Sequence, residues 1–365
     1  MTVAGEVHET HGADFERRGG RRVVADYGRP ERTHLAVRNG AGVVEMDYGV
    51  VVVEGSDRHE YVDNVITNAV PRTDGEGRYA LVLNPQGAIS TDMYVYDAGE
   101  RLLLFLPAEE AEPLAEDWAS KVFVQDVTVR EATDEFGVFG VHGPQSTEKV
   151  ASVLNGAAAP DVEERLSFVR GGMHDAGVTV VAVDAPTGEE GFEVVCAAED
   201  APDVFRTLLT RGLNAVPFGR RTWETLTLEA GTPLFASELE GRLPNVCGLR
   251  NAVDFDKGCF VGQEVVSKVE NRGRPSARLV GLRPETLPAP GATVRADGDP
   301  VGEVTRAART PSLDGPAALA AVTFDAAGGD LAVETDDGSV PAPRADLPFV
   351  EGSARSARVP TYADG

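Results

Sequence analysis

One short segment of the chain concentrates residue types that do chemistry. Residues 256–264 read Asp-Lys-Gly-Cys-Phe-Val-Gly-Gln-Glu and hold one of the four lysines and one of the three cysteines. An ammonium two residues from a thiol favours the reactive thiolate, so Lys257 would activate Cys259. Gln263 and Glu264 would hold a ligand or the loop itself. The alternative, favoured by the residue types alone, is a turn before a helix in which Cys259 packs as a small hydrophobic residue.

Two carboxylates occupy positions suited to binding or acid–base chemistry. Glu193 lies between Phe192 and Val194 in an apolar run that predicts a strand, and alternation puts its side chain on the face opposite theirs. Asp92 follows a glycine-containing turn at residues 84–87. The alternatives are a solvated strand face for Glu193, since Glu is rarely buried, and an Asx turn or cap for Asp92.

Strand-like and helix-like segments alternate over most of the chain and must position these side chains. The strand-like runs are residues 79–83, 93–96, 102–106, 178–183 and 192–196. Helical spacing of apolar residues is present in residues 109–122, 145–154 and 201–209. Because β-hairpins with an adjacent helix recur, we expect an α+β fold with antiparallel sheets.

The composition changes near residue 275. Short β runs separated by Pro and Gly follow this point, which predicts a small β-barrel or sandwich of about 80 to 90 residues. We therefore predict two domains, residues 1–275 and a C-terminal β-barrel at residues 276–365.

The charge of the chain excludes one class of partner. Asp and Glu total 59 against 34 Lys and Arg, for a formal net charge of -25. Such a surface repels phosphate backbones, so we expect no nucleic-acid partner. Only four of the 34 basic residues are Lys, which favours adaptation to high salt and a halophile's cytosol. Plain solubility is the alternative explanation.

The cysteines and the hydropathy pattern indicate the compartment. Three cysteines without a Cys-x-x-Cys pair predict neither a disulfide framework nor a metal site, and they fit a reducing compartment. The chain has no run of 18 apolar residues and no signal-like apolar segment at its N-terminus. We therefore expect a cytoplasmic protein with no membrane partner.

Residues 257–264 resemble the signature of the YgfZ folate-binding family, a sister of the glycine cleavage T-protein. Other segments resemble the wider T-protein superfamily, and together they cover nearly the whole chain. These segments are residues 33–42, 65–68, 84–92, 142–144, 187–193, 228–231, 301–305 and 310–313. The resemblance implies a ring of βα units with antiparallel sheets around a central folate cavity, followed by a small C-terminal β-barrel.

The resemblance also implies which residues bind folate. Family members hold the pterin through a Glu on the strand that matches Glu193, and a carboxylate suits the adjacent 2-amino and N3–H donors of that ring. Asp92 matches a turn aspartate near the reactive folate nitrogens, where it orients folate and stabilises iminium-like charge. Tyr48, Gln263 and Glu264 are the further folate contacts that we predict. The implied cofactor is tetrahydrofolate or a one-carbon derivative.

Several positions depart from the T-protein pattern. Residues 45–49 replace its Ser-His-Met-Gly, Thr91 replaces the first of two aspartates, and Thr227 replaces the Arg before Leu-Glu-Ala-Gly. These three changes argue against full aminomethyl transfer. Cys259 replaces the Asp of the T-protein's Lys-Gly-Asp-Phe, and this change favours the YgfZ branch.

The hypothesis that follows is a tetrahydrofolate-binding, YgfZ-like protein that supports iron–sulfur cluster assembly or maintenance. Cys259 would be its reactive group, Lys257 the partner of that thiol, and Asp92 a further catalytic group. One thiol cannot hold a cluster, so the partners would be iron–sulfur assembly proteins. The first alternative is a folate-dependent aminomethyltransferase of the glycine cleavage system, which acts on a lipoyl carrier protein. The second is a non-catalytic folate-binding module, so enzymatic activity stays open at this point.

Overall fold

Three large sheets and one hairpin contain the strands of the structure, which is a computed structural model that describes residues 2–336 and 338–362. The strands are β1 (Asp14–Arg18), β2 (Arg21–Asp26), β3 (Gly42–Glu45), β4 (Tyr48–Glu54), β5 (Gly77–Leu83), β6 (Ile89–Asp97), β7 (Arg101–Pro107), β8 (Thr128–Glu131), β9 (Phe136–His142), β10 (Phe168–Met173), β11 (Ala176–Ala182), β12 (Gly191–Ala197), β13 (Val216–Pro217), β14 (Ala277–Leu282), β15 (Thr293–Ala296), β16 (Asp299–Thr310), β17 (Gly315–Thr323), β18 (Leu331–Thr335), β19 (Gly338–Pro341) and β20 (Arg344–Ala345).

Short helices cover the outer faces of the first two sheets and connect them to the third. In the described ranges the α-helices are α1 (Gly5–Thr10), α2 (Pro30–Asn39), α3 (Arg58–Asp63), α4 (Ala108–Ser120), α5 (Ser146–Ala151), α6 (Ala201–Thr210), α7 (Arg220–Glu229), α8 (Pro244–Cys247) and α9 (Gln263–Arg272). Across residues 2–336 and 338–362, every helix is too short or too polar to cross a membrane.

Two antiparallel sheets face each other and create the space for a site. The first has the order β5-β6-β7-β4-β8, and the second has the order β10-β11-β12-β9-β3-β13, with β13 parallel to β3. Aromatic residues of the first sheet, such as Tyr94 and Phe105, pack against Val138 and Val181 of the second. Helices α3 and α4 cover the outer face of the first sheet, and α1, α5 and α6 cover that of the second.

Alternation along β12 determines where Glu193 points. Phe192 and Val194 are buried in the core under the helices, whereas Val195 packs in the core between the two sheets. Glu193 shares the face of Val195 and therefore points between the sheets, as the sequence predicts. The α+β class with antiparallel sheets is confirmed.

The third sheet is built after residue 276 and has the order β19-β18-β15-β16-β17-β14-β20. It packs on α7 through Leu228, Ala317 and Leu319. The chain then returns to the two facing sheets, where the Ala357 N–H donates a 3.0 Å hydrogen bond to the Asp184 carbonyl. The predicted boundary at residue 275 stays a prediction, because residues 346–362 pack against the first part of the chain.

His142, at the end of β9, is fully buried beside Trp223 and Phe218. Neither ring nitrogen has a hydrogen-bond partner among the residues that the structure describes. Burial lowers the pKa of His142 to about 3. A group whose pKa is depressed on folding in this way stabilises the fold fully above its unfolded pKa of about 6.5, and this contribution is lost as the pH falls towards 3.

We therefore expect the stability of the His142→Gln variant, which has no group that titrates at this position, to be less sensitive to acid. Between pH 7.5 and pH 5, the wild-type chain should lose about 2 kcal/mol more unfolding free energy than the variant. Urea unfolding at the two pH values measures this difference. The protonation of carboxylates affects both proteins equally and therefore cancels when they are compared. The exposed His174→Gln is the control, and equal losses in wild type and His142→Gln would contradict the expectation.

Candidate functional site

A cavity opens at one end of the space between the two facing sheets. Its walls come from β6 and β7, the β3–β4 junction, the β1–β2 hairpin, the start of α7 and residues 234–237. Tyr48 and Asp92 line it, as does Arg358 from the C-terminal segment. The cavity is therefore built from segments that lie far apart in the sequence, including the C-terminal segment.

Glu193 does not itself line this cavity but lies behind Tyr48, which does, and is 2% exposed. The Tyr48 hydroxyl donates a 2.8 Å hydrogen bond to Glu193 Oε1, and Glu193 Oε2 has no partner among the described residues. Burial raises the pKa of Glu193 to about 7, Asp184 raises it further, and the bond from Tyr48 opposes the shift. A carboxylate with a buried, unpaired oxygen can accept donors from a ligand.

Arg358 joins two further buried carboxylates. Its Nε lies 3.1 Å from Asp184 Oδ2, and its Nη1 lies 3.9 Å from Asp92 Oδ2. The Tyr79 hydroxyl donates a 2.7 Å hydrogen bond to Asp92, and the Tyr94 hydroxyl donates a 2.8 Å bond to Asp184. Burial raises the pKa of Asp92, whereas Arg358 and the tyrosine oppose the rise.

Asp92 lines the cavity together with Tyr48, Tyr94 and Phe105, and two further buried carboxylates, of Asp184 and Glu193, lie behind this wall. Asp184 and Asp92 share the guanidinium of Arg358, whose charge also lowers the pKa of Glu193. Uncompensated carboxylates are costly to bury unless donors or positive charge approach them. The arrangement favours a ligand with an aromatic, donor-rich ring or a reacting atom that gains positive charge.

The structure does not bring the residue 257–264 segment to this cavity. Cys259 is exposed, and neither it nor Gln263 nor Glu264 lines the cavity. Gln263 and Glu264 lie in the first turn of α9, where Gly262 has a φ of +79° and packs against the 84–87 turn. The predicted roles of Gln263 and Glu264 in binding folate stay predictions, and neither side chain lines the cavity.

Lys257 has partners other than the thiol that its spacing suggests. Its ammonium donates hydrogen bonds to the carbonyls of Asp63, Ile66 and Asn68, at 2.6, 3.1 and 2.8 Å. The side chain is 4% exposed, and burial lowers its pKa while Asp63 opposes this change. The activation of Cys259 by Lys257 stays a prediction, and the contacts in the structure give the ammonium a structural role at the end of α3.

Replacing Lys257 with Met should therefore destabilise the fold. The change leaves three backbone carbonyls without their buried donor, and we expect a loss of about 1 to 3 kcal/mol in unfolding free energy. Urea unfolding measures the loss, with the exposed Lys268→Met on α9 as the matched control. An unchanged unfolding midpoint in the Lys257 variant would show that these hydrogen bonds do not contribute.

Several segments that carry the resemblance meet in a second buried cluster, away from the cavity. Glu229 Oε2 accepts hydrogen bonds from His34, Arg38 and Ser312 at 2.9 to 3.1 Å. Arg38 also donates to Glu189, at 2.8 Å. These residues come from four of the matched segments, and their mutual bonds give those segments a structural role.

The position that lacks the T-protein arginine is reached by an arginine from the third sheet. Arg306 Nη1 donates a 2.9 Å hydrogen bond to the Thr227 hydroxyl, and Nη2 donates to the Thr232 carbonyl at 2.7 Å. Pairing of β16 with β17 shifts register between Val304 and Arg306, and such irregularities redirect side chains. The change at residue 227 therefore does not remove a guanidinium from this region.

Sequence reasoning missed Asp184 and Arg358 altogether. Asp184 follows the strand-like run at residues 178–183, so a charged residue at the end of an apolar strand was a usable signal. No comparable signal marks Arg358, because Arg355 stands in the same polar context three residues earlier. Across the described parts of the chain, no group of three or more His, Cys, Asp and Glu residues could hold a metal ion.

Two family models match most of the chain. The GCVT N-terminal domain matches residues 4–257, and the glycine cleavage T-protein C-terminal barrel domain matches residues 278–351. The chain belongs to the glycine cleavage T-protein family. Its fold, a mixed α/β body followed by a curled antiparallel sheet, is the fold of this family.

Relatives named aminomethyltransferase are similar to this chain over most of their length. An aminomethyltransferase of Saccharopolyspora erythraea is 32% identical, with 97% of this chain and 99% of that protein covered. One of Halalkalibacterium halodurans is 30% identical, with 84% and 86% covered. The crystal structure of glycine cleavage system aminomethyltransferase T from Bartonella henselae has a TM-score of 0.85 at 25% identity, with 97% and 98% covered. These matches support the superfamily and do not support the YgfZ branch.

Proposed function

We propose that the chain is a tetrahydrofolate-dependent aminomethyltransferase. The observation that carries this proposal is the aromatic, acidic wall of the cavity, behind which the buried Glu193 Oε2 lacks a donor. The 2-amino and N3–H groups of a pterin supply adjacent donors of the kind that a carboxylate accepts. Similarity to aminomethyltransferases over most of the chain supports the same reading.

The residues in and behind the cavity wall would have two roles, binding of the ring and stabilisation of positive charge. Glu193 would accept the ring donors, and Tyr48 would hold that carboxylate in place. Asp92, oriented by Tyr79 and Arg358, would stabilise positive charge that develops on a reacting nitrogen. Tetrahydrofolate supplies the nitrogens that receive the one-carbon unit. In the overall transfer, an aminomethylated thiol of the carrier loses its methylene carbon and ammonia, and the free thiol returns.

An assay with an aminomethylated lipoyl carrier protein and tetrahydrofolate tests the proposal. We expect equal amounts of ammonia and methylene-tetrahydrofolate at roughly 1 turnover per second or more. Asp92→Asn should lose at least a hundredfold in kcat while it still binds folate. Folate binding without turnover would contradict aminomethyl transfer and favour a non-catalytic folate-binding module.

A YgfZ-like role in iron–sulfur cluster maintenance is the second candidate, and exposed Cys259 in the signature loop favours it. Burial raises the pKa of both Cys196 and Cys247 to about 12, so iodoacetamide should label Cys259 first. If this role holds, Cys259→Ser should lower iron–sulfur enzyme activity in cells while the transfer assay is unchanged. Normal activity of those enzymes in the variant strain would remove this candidate.

A further inference from the structure

A second cavity opens at the other end of the space between the two facing sheets. Asp92 and Tyr94, near the start of β6, line the first cavity, whereas Tyr96 and Ala98, at and just beyond its end, line the second. Phe105 of β7 lines both cavities and therefore lies between them. The volume of the second cavity is about 510 Å³, against about 200 Å³ for the first. This volume is that of a small-molecule pocket, roughly 300 to 1,000 Å³.

The walls of the second cavity are mostly apolar. Both facing sheets contribute hydrocarbon and aromatic side chains to them, which are Leu103, Phe105, Phe136, Phe168, Val181 and Val195. A polar occupant would lose its hydration against these walls without gaining hydrogen bonds in return. The occupant that the walls favour therefore has an apolar body.

Three charged side chains also line the second cavity, and two of them already have partners. Arg170 donates two hydrogen bonds to the carboxylate of Asp74, at 2.6 and 2.8 Å. Glu135 accepts hydrogen bonds from both terminal nitrogens of Arg130. The third charged side chain is Arg101.

The guanidinium of Arg101 has no hydrogen bond or ion pair with any group in the part of the chain that the structure describes. Alternation along β7 puts Arg101 on the face of Leu103 and Phe105, which is the face towards the second sheet. Its Cζ lies 5.9 Å from the centroid of the Phe136 ring. Glu54 is its cross-strand neighbour on β4 and makes no ion pair with it. The N–H donors of Arg101 are therefore free to bind an anion in the cavity.

We propose that the second cavity binds a small carboxylate with an aromatic or hydrocarbon body. The body fills the apolar space between the sheets, and the carboxylate pairs with the planar N–H fork of Arg101. A neutral ligand leaves that guanidinium without a partner. A dianionic phosphate needs a second cation, and Arg170 is already held by Asp74. The proposal does not depend on folate binding or aminomethyl transfer, because it concerns a different cavity.

A ligand-observed NMR titration of the full chain with naphthaleneacetate and its neutral amide tests the proposal. We expect the wild-type protein to bind the acid with a Kd of about 1 mM or lower, and the amide at least tenfold more weakly. In Arg101→Met the acid should bind as weakly as the amide, whose own Kd should change less than about twofold. Arg78→Met is the matched control, since Arg78 is exposed on the neighbouring strand β5 and lines neither cavity.

A second variant shows where the probe binds. Thr179 is half-buried on β11 and lines the second cavity, so the larger ring of Thr179→Trp fills that space. We expect this variant to lose binding of acid and amide alike, with urea unfolding as the check that it folds. Should it fail to fold, the Arg101→Met result alone decides.

Three outcomes would overturn the proposal, and each leaves the proposed function standing. The first is no saturable binding of naphthaleneacetate to the wild-type protein. The second is binding of the acid that Arg101→Met leaves unchanged. The third is displacement of the probe by tetrahydrofolate with no response to Thr179→Trp, which would place the probe in the first cavity.

Discussion

Replacing Arg358 with Met should lower the free energy of unfolding by about 3 to 5 kcal/mol, because the change strips two buried carboxylates of their shared cation. Arg358 is 6% exposed and lies between Asp184 and Asp92. The stranded carboxylates can recover by taking up protons, so the loss should be smaller at pH 5 than at pH 8. Urea unfolding at both pH values measures the effect.

Arg355→Met is the matched control for this prediction. Arg355 lies in the same C-terminal segment, is exposed, and donates one hydrogen bond to the Leu347 carbonyl. We expect its loss to change the unfolding free energy by less than about 0.5 kcal/mol. If both variants lose stability equally and without dependence on pH, the guanidinium between the carboxylates has no special role.

The Glu193→Gln variant should bind tetrahydrofolate at least tenfold more weakly, and its fold should be as stable as wild type or more stable. Truncating one partner of a buried, charged hydrogen-bonded pair costs about 2 to 5 kcal/mol of binding free energy. In the free protein, burial raises the pKa of Glu193 to about 7. Its protonated form stabilises the fold below the unfolded pKa of about 4.5, and that contribution is lost as the pH rises through 7.

The two readouts of Glu193→Gln move in opposite directions, which separates binding from folding. Relative to wild type, the variant should gain up to about 3 kcal/mol of unfolding free energy between pH 5 and pH 8. Calorimetry gives the affinity, and urea unfolding gives the stability. The exposed Glu199→Gln, just beyond the same strand, should change neither. Unchanged folate affinity in Glu193→Gln would remove this carboxylate from the site.

The sequence predicts those parts of the fold that depend on local periodicity. Alternation along one strand correctly indicates that Glu193 points away from Phe192 and Val194, and the hairpin pattern correctly indicates antiparallel sheets. The strand pairing of Tyr94 with Phe105 lies within the predicted hairpin at residues 93–106. These features follow from the two-residue period of a strand, which neighbours far along the chain do not change.

Side-chain partners chosen by tertiary packing are not predictable in this way. Spacing suggests that Lys257 serves Cys259, yet its ammonium reaches carbonyls of residues 63–68, nearly 200 positions earlier in the chain. Phe260 is buried and Gly262 occupies a left-handed turn against residues 84–87. Lys257, Phe260 and Gly262 of the signature therefore have structural roles, and at these positions the motif indicates the fold more directly than the chemistry.

The position of Arg358 has a consequence for how the protein is made. Chains fold during synthesis as units, beginning with the N-terminal part. The two facing sheets can assemble on the ribosome while Asp184 and Asp92 are close together and residue 358 has not yet been translated. At that stage Asp184 and Asp92 lack the guanidinium that lies between them in the finished fold, so we expect the charge balance of the site to be reached only after the C-terminal segment has been made.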